Sequence, residues 1–394
     1  MAYLLLLDKT SDAKAGGSMR RGRDEFKRGL RSRTPLVLAL AALVVAGGLA
    51  GIERFVAGGA FTVIPEARLM RIANDDYAHV SYRVAELRRH PPGVPAIYLF
   101  GGSGAIELLR SEGALSDAVT GVVGSPVEVV DLAAHSQSMG QTLAIVDNLP
   151  PGRGLLAIGV SPNRFTKSPA GDAGQLAGRP LALTSPHLAA VLRVRGVNVD
   201  EKLPGLLPGV FDFAVSYVRE RASATDPWFS SLPYAHHYYG DGPVAGVAAK
   251  VAGSREELAR EEPLYQAYAG YNRDVLAEIA RLGRERGYAV AFFEQPLGPE
   301  ASGPGWDWFL ARYRSDVRAL ALRLGVAYID VTARAHLRMS DFADLYHLVN
   351  SGRDKWTPPF AHGLARVLVR ERVVLANGAV SVAPSLVARS PVAP

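Results

Sequence analysis

The stretch VPAIYLFGGSGA, residues 94–105, decides the fold class. Its first seven residues form a short apolar run of the kind that buried parallel strands use. Gly101, Gly102 and Gly104 then break the strand and permit a tight turn. Helical spacing resumes over AIELLRSEGAL, residues 105–115. The stretch therefore predicts a strand, a tight turn and a helix, the repeating unit of an α/β fold.

Later segments repeat this alternation of strand and helix. Apolar runs at residues 125–132, 154–160, 288–294 and 326–331 predict further strands, separated by segments with helical spacing. Because strands that alternate with helices form a parallel sheet covered on both faces, we predict a flavodoxin-like three-layer α/β sandwich. Residues 164–260 interrupt the alternation with prolines and an aromatic- and histidine-rich tract, so we expect a helical and loop insertion there.

The N-terminal region carries a basic cluster followed by an apolar segment. Seven residues between 20 and 33 are Arg or Lys and two are acidic, whereas residues 35–52 carry no charge. An uncharged run of this length is near the minimum for a transmembrane helix. A basic flank before the run favours a cytoplasmic N-terminus. The predicted organisation is a cytoplasmic tail at 1–33, a transmembrane anchor at 34–58, an extracytoplasmic domain at 60–376 and a peripheral tail at 377–394.

A cleaved signal peptide is the alternative to an uncleaved anchor. The small residues Ala57, Gly58, Gly59 and Ala60 offer a cleavage site. With or without cleavage, the charge pattern predicts that the globular domain lies outside the cytoplasm, in the periplasm or the extracellular space.

Composition excludes several classes of site. The chain has no cysteine, so it forms no disulfide, no thiolate metal site and no cysteine nucleophile. The formal net charge is +6, but much of the excess lies in the cluster before the apolar segment. We therefore expect no nucleic-acid partner. The candidate chemistry below needs neither a metal nor an organic cofactor.

Polar residues follow three of the predicted strands. Ser103 follows the first strand, Asn163 follows the third, and Asp344 and His347 follow the fifth. Because the carboxyl ends of parallel strands meet at one edge of a sheet, this fold class would bring these residues together.

The residue types suit nucleophilic catalysis. Two residues separate Asp344 from His347, so the carboxylate can accept the Nδ1 proton and leave Nε2 as a base toward the Ser103 hydroxyl. The helix start after Ser103 offers unpaired backbone N–H groups to an oxyanion. The side-chain amide of Asn163 is a further oxyanion donor.

Each of these residues also has a structural interpretation. Ser103 could be an N-cap in a glycine turn or part of a phosphate-binding loop, although the loop lacks the GxGxxG and GxxxxGK[ST] patterns. Asp344 could open a helix beside an incidental His347, and Asn163 could be a turn residue. His236 and His237 lack further ligands for a metal, so a surface or pocket-rim loop is the better interpretation.

Taken together, the motifs resemble those of SGNH hydrolases. The matching pieces are FGGSG at Ser103, SPN at Asn163 and DLYHL at Asp344 and His347. More narrowly, the chain is similar to the D-alanine transfer proteins of teichoic acid and to polysaccharide O-acetylation proteins. HSQSMG, residues 135–140, then matches their second block, with Ser136 at the position of a glycine whose N–H serves the oxyanion. The usual GDS is GGS here.

The resemblance implies a membrane-anchored serine esterase or acyltransferase outside the cytoplasm. Ser103, Asp344 and His347 would form the catalytic triad, and Ser103, Ser136 and Asn163 would supply the oxyanion donors. The implied substrates are acyl esters of a cell-envelope or secreted polysaccharide. A polytopic membrane O-acyltransferase is the implied partner. A catalytically idle adaptor of an envelope-polysaccharide machine is the alternative.

Overall fold

The chain divides into two compact units, at Met1–Val56 and Ala57–Pro394. A computed structural model describes residues 35–178, 183–199, 206–223, 231–240, 246–301 and 307–374. The predicted tails at 1–33 and 377–394 lie outside the described residues. Helix α1, Pro35–Ala57, is 23 residues long and is buried at no position. By length and composition it is able to cross a membrane.

The second unit is built on a five-stranded parallel sheet. Its strands are β1 (Ala96–Phe100), β2 (Glu128–Asp131), β3 (Gly154–Val160), β4 (Tyr288–Glu294) and β5 (Ala327–Ile329). They lie in the order β2-β1-β3-β4-β5, and all neighbours are parallel. This is the doubly wound order 2-1-3-4-5, in which the strand order reverses between β1 and β3 and ligands bind outside the carboxyl ends. The prediction of an α/β fold with a parallel sheet is confirmed.

Helices cover both faces of this sheet. The helices described in this unit are α2 (Glu66–Leu69), α3 (Asp76–Arg89), α4 (Ser103–Ile106), α5 (Glu112–Val123), α6 (Met139–Asn148), α7 (Pro169–Gly178), α8 (Pro186–Val194), α9 (Leu206–Ala222), α10 (Val247–Glu285), α11 (Asp307–Leu324), α12 (Thr332–Ala335) and α13 (Asn350–Arg370). Short 3₁₀ turns occur at Ala60–Val63, Pro162–Phe165, Pro299–Ala301 and Met339–Asp341.

Alternate residues of each strand enter two separate cores, as the period of two in a strand requires. Tyr98 and Ile158 face the core that α3, α6, α10 and α11 cover. Ile97 and Ala157 face the core that α5 and α13 cover. Burial of the strands on both sides explains their continuous apolar sequences. It also leaves the carboxyl edge of the sheet as the place where polar residues after the strands meet.

Two helices differ from their sequence predictions. The apolar spacing of residues 105–115 predicts one helix, but α4 ends at Ile106 and α5 begins at Glu112. Ser111 caps α5 by accepting the backbone N–H of Ala114 at 3.1 Å, which ends any continuous helix there. The helical spacing of residues 262–287 predicts a helix that begins just after the insertion, but α10 begins at Val247, inside the predicted insertion, and continues through Pro263.

Candidate active site

The Ser103 loop sits at the carboxyl end of β1 and is tightly packed. A Cβ on Gly101 would lie 2.4 Å from the Cβ of Ala105, and one on Gly104 would lie 3.0 Å from Oε1 of Gln295 and 3.3 Å from the carbonyl oxygen of Tyr346. Larger residues would therefore move the turn. The backbone N–H of Ala105 closes the turn on the carbonyl of Gly102 at 2.8 Å. The glycines thus let Ser103 open α4 directly against the strand end.

Asp344 and His347 lie in a closed loop between the 3₁₀ turn at Met339–Asp341 and α13. The backbone N–H of Ala343 donates to the carbonyl of His347 at 2.8 Å. Within the loop, Oδ1 of Asp344 accepts the backbone N–H groups of Tyr346 at 2.8 Å and His347 at 3.0 Å. The spacing of two intervening residues is what allows one carboxylate to hold both its own loop and the imidazole.

The structure brings Ser103, His347 and Asp344 into one chain of hydrogen bonds. Nε2 of His347 lies 2.8 Å from Oγ of Ser103, and its Nδ1 lies 2.7 Å from Oδ2 of Asp344. Because an ionised carboxylate only accepts hydrogen bonds, the proton on the Asp344 side belongs to Nδ1. Nε2 is then free to accept the hydroxyl proton of Ser103. This is the order of groups that activates a serine.

The environment of Asp344 favours its ionised form. Burial, with the residue 8% exposed, acts to raise the pKa of the carboxyl. The hydrogen bond from His347 and those from two backbone N–H groups outweigh burial and hold the pKa below its usual range. The carboxylate is therefore charged at neutral pH and can stabilise a protonated His347.

A buried polar network supports the Ser103 loop from below. Gln137, 2% exposed, accepts the backbone N–H of Gly101 at 3.2 Å and donates to the carbonyl of Leu132 at 2.8 Å. Arg164 donates to the carbonyl of Gln137 at 3.1 Å and to Oγ1 of Thr142 at 2.6 Å. The HSQSMG segment thus fixes the Ser103 turn through the Gln137 amide, a role that the sequence did not predict. The only sign of this role in the sequence is the run of polar residues in HSQSMG, residues 135–140.

Ser136 has a left-handed backbone conformation. Its φ is +54°, in the left-handed region that favours glycine. The turn around it closes where the N–H of Gln137 donates to the carbonyl of Ala134 at 2.9 Å. The N–H of Ala134 in turn donates to Gly101 at 3.1 Å, so the Ser136 turn is tied to the Ser103 loop. A serine therefore fills a glycine-like position beside the site.

Asn163 lies in the 3₁₀ turn Pro162–Phe165 that follows β3, the strand next to β1. Oγ of Ser161 donates to Oδ1 of Asn163 at 2.6 Å. Because Oδ1 of Asn163 faces Ser161, its Nδ2 donor points away from Ser161. Asn163 thus stands at the same edge of the sheet as Ser103, with a donor to offer.

Residues 231–240, which we call the strap, carry the aromatic and histidine tract toward the site. The ring of Tyr239 lies 5.5 Å from that of His347, and Nζ of Lys250 lies 5.0 Å from the Tyr239 ring centroid. Arg353 donates to the carbonyl of Tyr239 at 2.7 Å and also binds the fully buried Glu107. The Tyr239 ring therefore lies beside His347, and Lys250 lies against that ring. Neither residue was identified from the sequence.

The two strap histidines face buried carboxyl groups. Nε2 of His236 lies 3.3 Å from Oδ2 of Asp131, and Nδ1 of His237 lies 3.4 Å from Oε2 of Glu107. Burial lowers the pKa of His236 to about 3 and raises the pKa of Asp131 to about 7. Among the described residues, no group of three or more His, Asp or Glu side chains has the arrangement of a metal site.

The sequence matches no family model and no curated protein.

Proposed function

We propose that this protein is an SGNH-type serine acyltransferase or esterase. One observation carries the proposal: Nε2 of His347 lies 2.8 Å from Oγ of Ser103 while its Nδ1 lies 2.7 Å from Asp344. Residues from the first and last parts of the domain meet in that geometry, which an incidental glycine turn would not need. The motif order Ser103, Asn163 and Asp344-x-x-His347 supports the same class.

The proposed reaction transfers an acyl group through a covalent intermediate. Oγ of Ser103 attacks the acyl carbonyl while His347 takes the hydroxyl proton on Nε2. His347 returns that proton to the departing alkoxide, and an acyl-serine remains. Water or a sugar hydroxyl then attacks this ester, His347 again takes the proton, and Ser103 recovers it. Asp344 stays ionised throughout and stabilises the imidazolium.

Oxyanion donors complete the proposed mechanism. Each tetrahedral intermediate places a negative charge on the former carbonyl oxygen, which preorganised N–H groups stabilise. The backbone N–H of Ser103 at the start of α4, the backbone of Ser136 and the amide of Asn163 are the proposed donors. The tie between Ala134 and Gly101 supports this grouping, because it holds the Ser136 turn against the Ser103 loop.

The proposed substrates are acyl esters of an envelope or secreted polysaccharide. We place the domain outside the cytoplasm because a basic cluster precedes the apolar α1. No acyl-coenzyme A is at hand there, so the acyl group must cross the membrane. A polytopic membrane O-acyltransferase would hand it over, and anchoring by α1 would raise the effective concentration of the two proteins.

Covalent labelling tests the catalytic proposal. The full-length protein is treated with a fluorophosphonate and assayed with a chromogenic acetyl ester. We expect labelling at Ser103, and loss of both labelling and turnover in Ser103→Ala and His347→Ala, because triad members act as a unit. Ser315→Ala and His362→Ala, at exposed positions of α11 and α13, are the matched controls. Wild-type turnover and wild-type cellular function of Ser103→Ala would instead leave the adaptor as the better interpretation.

The proposed topology has a separate test. A reporter enzyme that matures only after export is fused after Pro394, and a second reporter that works only in the cytoplasm is fused at the same point. We expect activity from the first fusion, because the positive charges lie before α1. Activity from the cytoplasmic reporter alone would place the domain on the other side.

A further inference from the structure

Helix α9 carries an uncovered apolar stripe. Phe211, Val215 and Val218 are 68%, 50% and 47% exposed. Ala214 and Ala222 are also exposed, and the spacing of these five residues places them on one side of a helix. Single exposed apolar residues are common on soluble proteins, but a contiguous stripe marks an interaction surface.

The other side of α9 is fixed to the domain. Oη of Tyr217 donates to the carbonyl of Arg68 at 2.8 Å, and Nη2 of Arg221 donates to the carbonyl of Met70 at 2.7 Å. Arg221 is among the largest fully buried side chains. These contacts fix the rotation of α9 about its own axis, so its apolar stripe faces away from the domain.

The segment that holds α9 comes directly after α1 in the chain. Val63 and Ile64, in the 3₁₀ turn and just after it, are exposed, and so is Ile72. Val63 is six positions beyond Ala57, the last residue of α1, so the chain between them spans at most about 20 Å. Val63 and Ile64 are therefore the first large apolar residues after α1 that are exposed.

We propose that α9, together with Val63, Ile64 and Ile72, rests on the outer surface of the bilayer that α1 spans. The stripe would enter the boundary between headgroups and acyl chains, as an interfacial amphipathic helix does. Arg68 and Arg219, which are exposed beside the stripe, could then pair with the phosphate groups of the lipids. The proposal rests on the proposed anchoring by α1. It adds that a second element of the extracytoplasmic domain contacts lipid and fixes the domain's orientation.

The strap connects this surface to the candidate active site. The backbone N–H of Leu232 donates to the carbonyl of Ala67 at 2.7 Å, and that of Ala235 donates to Ala73 at 2.6 Å. Four residues further on, Tyr239 lies beside His347. A domain seated on lipid through α9 would therefore hold the strap close to the membrane. A membrane-embedded acyl donor would then have a short path to Ser103.

Site-specific fluorescence tests the proposal on the full-length chain. Because the protein has no cysteine, Val215→Cys and Val218→Cys can each be labelled with the environment-sensitive dye NBD. Leu322→Cys, at an exposed position of α11, is the control for a solvent-facing site. Leu43→Cys, within α1, reports whether the anchor is inserted. Each protein is placed as a single copy in lipid nanodiscs with and without nitroxide-labelled lipids.

The expected result is a blue-shifted emission and a loss of fluorescence on nitroxide lipid at positions 215 and 218, with no loss at 322. Loss at position 43 with no loss at 215 and 218 would overturn the α9 proposal while leaving the anchor intact. No loss at position 43 would overturn the anchor and the α9 proposal with it. A blue shift at positions 215 and 218 that appears only with several copies per disc, without loss of fluorescence on nitroxide lipid, would assign the stripe to a second copy of the chain. That result would overturn the proposed lipid contact.

Discussion

At the scale of single residues, the proposed catalytic role of Asp344 can be tested separately from its role in the fold. Its Oδ2 contacts Nδ1 of His347, whereas Oδ1 holds two backbone N–H groups. Asp344→Asn retains one acceptor for the loop but removes the charge that orients the imidazole. The expected result is a fall in kcat on the order of 10⁴-fold, the loss measured for this change in a serine protease.

The assay that checks this is hydrolysis of the acetyl ester, with circular dichroism to verify the fold. Asp117→Asn, at an exposed position of α5, is the matched control and should keep full activity. An Asp344→Asn protein that is folded and retains more than a tenth of the wild-type kcat would contradict the proposed role.

Asn163 should matter less than the residues that move the proton. Its Nδ2 is one donor among several proposed for the oxyanion, and its Oδ1 is already engaged by Ser161. Asn163→Ala is expected to lower kcat by roughly 10²–10³-fold, the cost of one oxyanion donor, with little change in KM. Steady-state kinetics on the same ester measure both constants. A rise in KM with kcat unchanged would indicate a ground-state contact instead.

Residue chemistry was the part of the site that the sequence predicted best. The positions of Ser103, Asp344 and His347 after predicted strands, together with the resemblance to SGNH hydrolases, indicate a triad, and the structure brings the three side chains within hydrogen-bonding distance. Their catalytic role stays a prediction. Gln137, Arg164 and Tyr239 were missed because they act through contacts between distant segments. Glutamine and arginine in a polar stretch carry no local sign that they will be buried beneath a neighbouring loop.

At the scale of elements, α6 begins with a complete capping box. Oγ of Ser138 accepts the backbone N–H of Gln141 at 3.1 Å, and Oε1 of Gln141 accepts that of Ser138 at 2.9 Å. Ser138→Ala removes one half of the box and also the hydrogen bond from the Ser138 hydroxyl to the buried Asp172, so the free energy of unfolding should fall by about 1 kcal/mol or somewhat more.

Denaturant unfolding of the two N-cap variants checks this estimate. Ser111→Ala removes the equivalent cap of α5, but Ser111 is exposed, and water can replace the lost acceptor. We therefore expect a smaller loss for Ser111→Ala than for Ser138→Ala. Equal losses would mean that neither the burial of Ser138 nor its hydrogen bond to Asp172 adds to the stability of the fold.

The predicted boundaries of strands agree with the structure where a continuous apolar run is buried on both faces. Strands β3 and β4 begin and end at the predicted residues, because both are continuous apolar runs buried on both faces. The predicted start of α10 lies too late in the chain. Proline is typical of the first turn of a helix, whereas α10 continues through Pro263. The break between α4 and α5 was missed because Leu108 and Leu109 fit a helical pattern but are buried in the connection.

At the scale of the whole molecule, a buried carboxyl group makes stability depend on pH. Glu261 of α10 is 5% exposed, and its Oε2 has no hydrogen-bond partner among the described residues. Burial, with Glu257 nearby, raises its pKa to about 8, although Lys167 acts in the opposite direction. Ionising this group therefore costs the folded state free energy that the unfolded chain does not lose.

The sign of the effect follows from where the proton is bound. Between the usual glutamate pKa of 4.5 and about 8, the folded protein keeps a proton that the unfolded chain has released. The free energy of unfolding from this group then falls as the pH rises, by at most about 1.4 kcal/mol per pH unit, and levels off above pH 8. Glu261→Gln removes the ionisation, so its stability relative to wild type should increase steadily from pH 5 to pH 8.

Unfolding by denaturant at pH 5, 7 and 9, followed by tryptophan fluorescence, measures this difference. Glu257→Gln is the matched control on the same helix, because Glu257 is exposed and affects Glu261 only through its charge. It should shift the curve slightly without abolishing the slope. Asp131, whose pKa burial raises to about 7, contributes the same kind of slope in both proteins and cancels from the comparison. A Glu261→Gln protein that gains no stability over wild type between pH 5 and pH 9 would show that Glu261 is ionised at no cost to the fold.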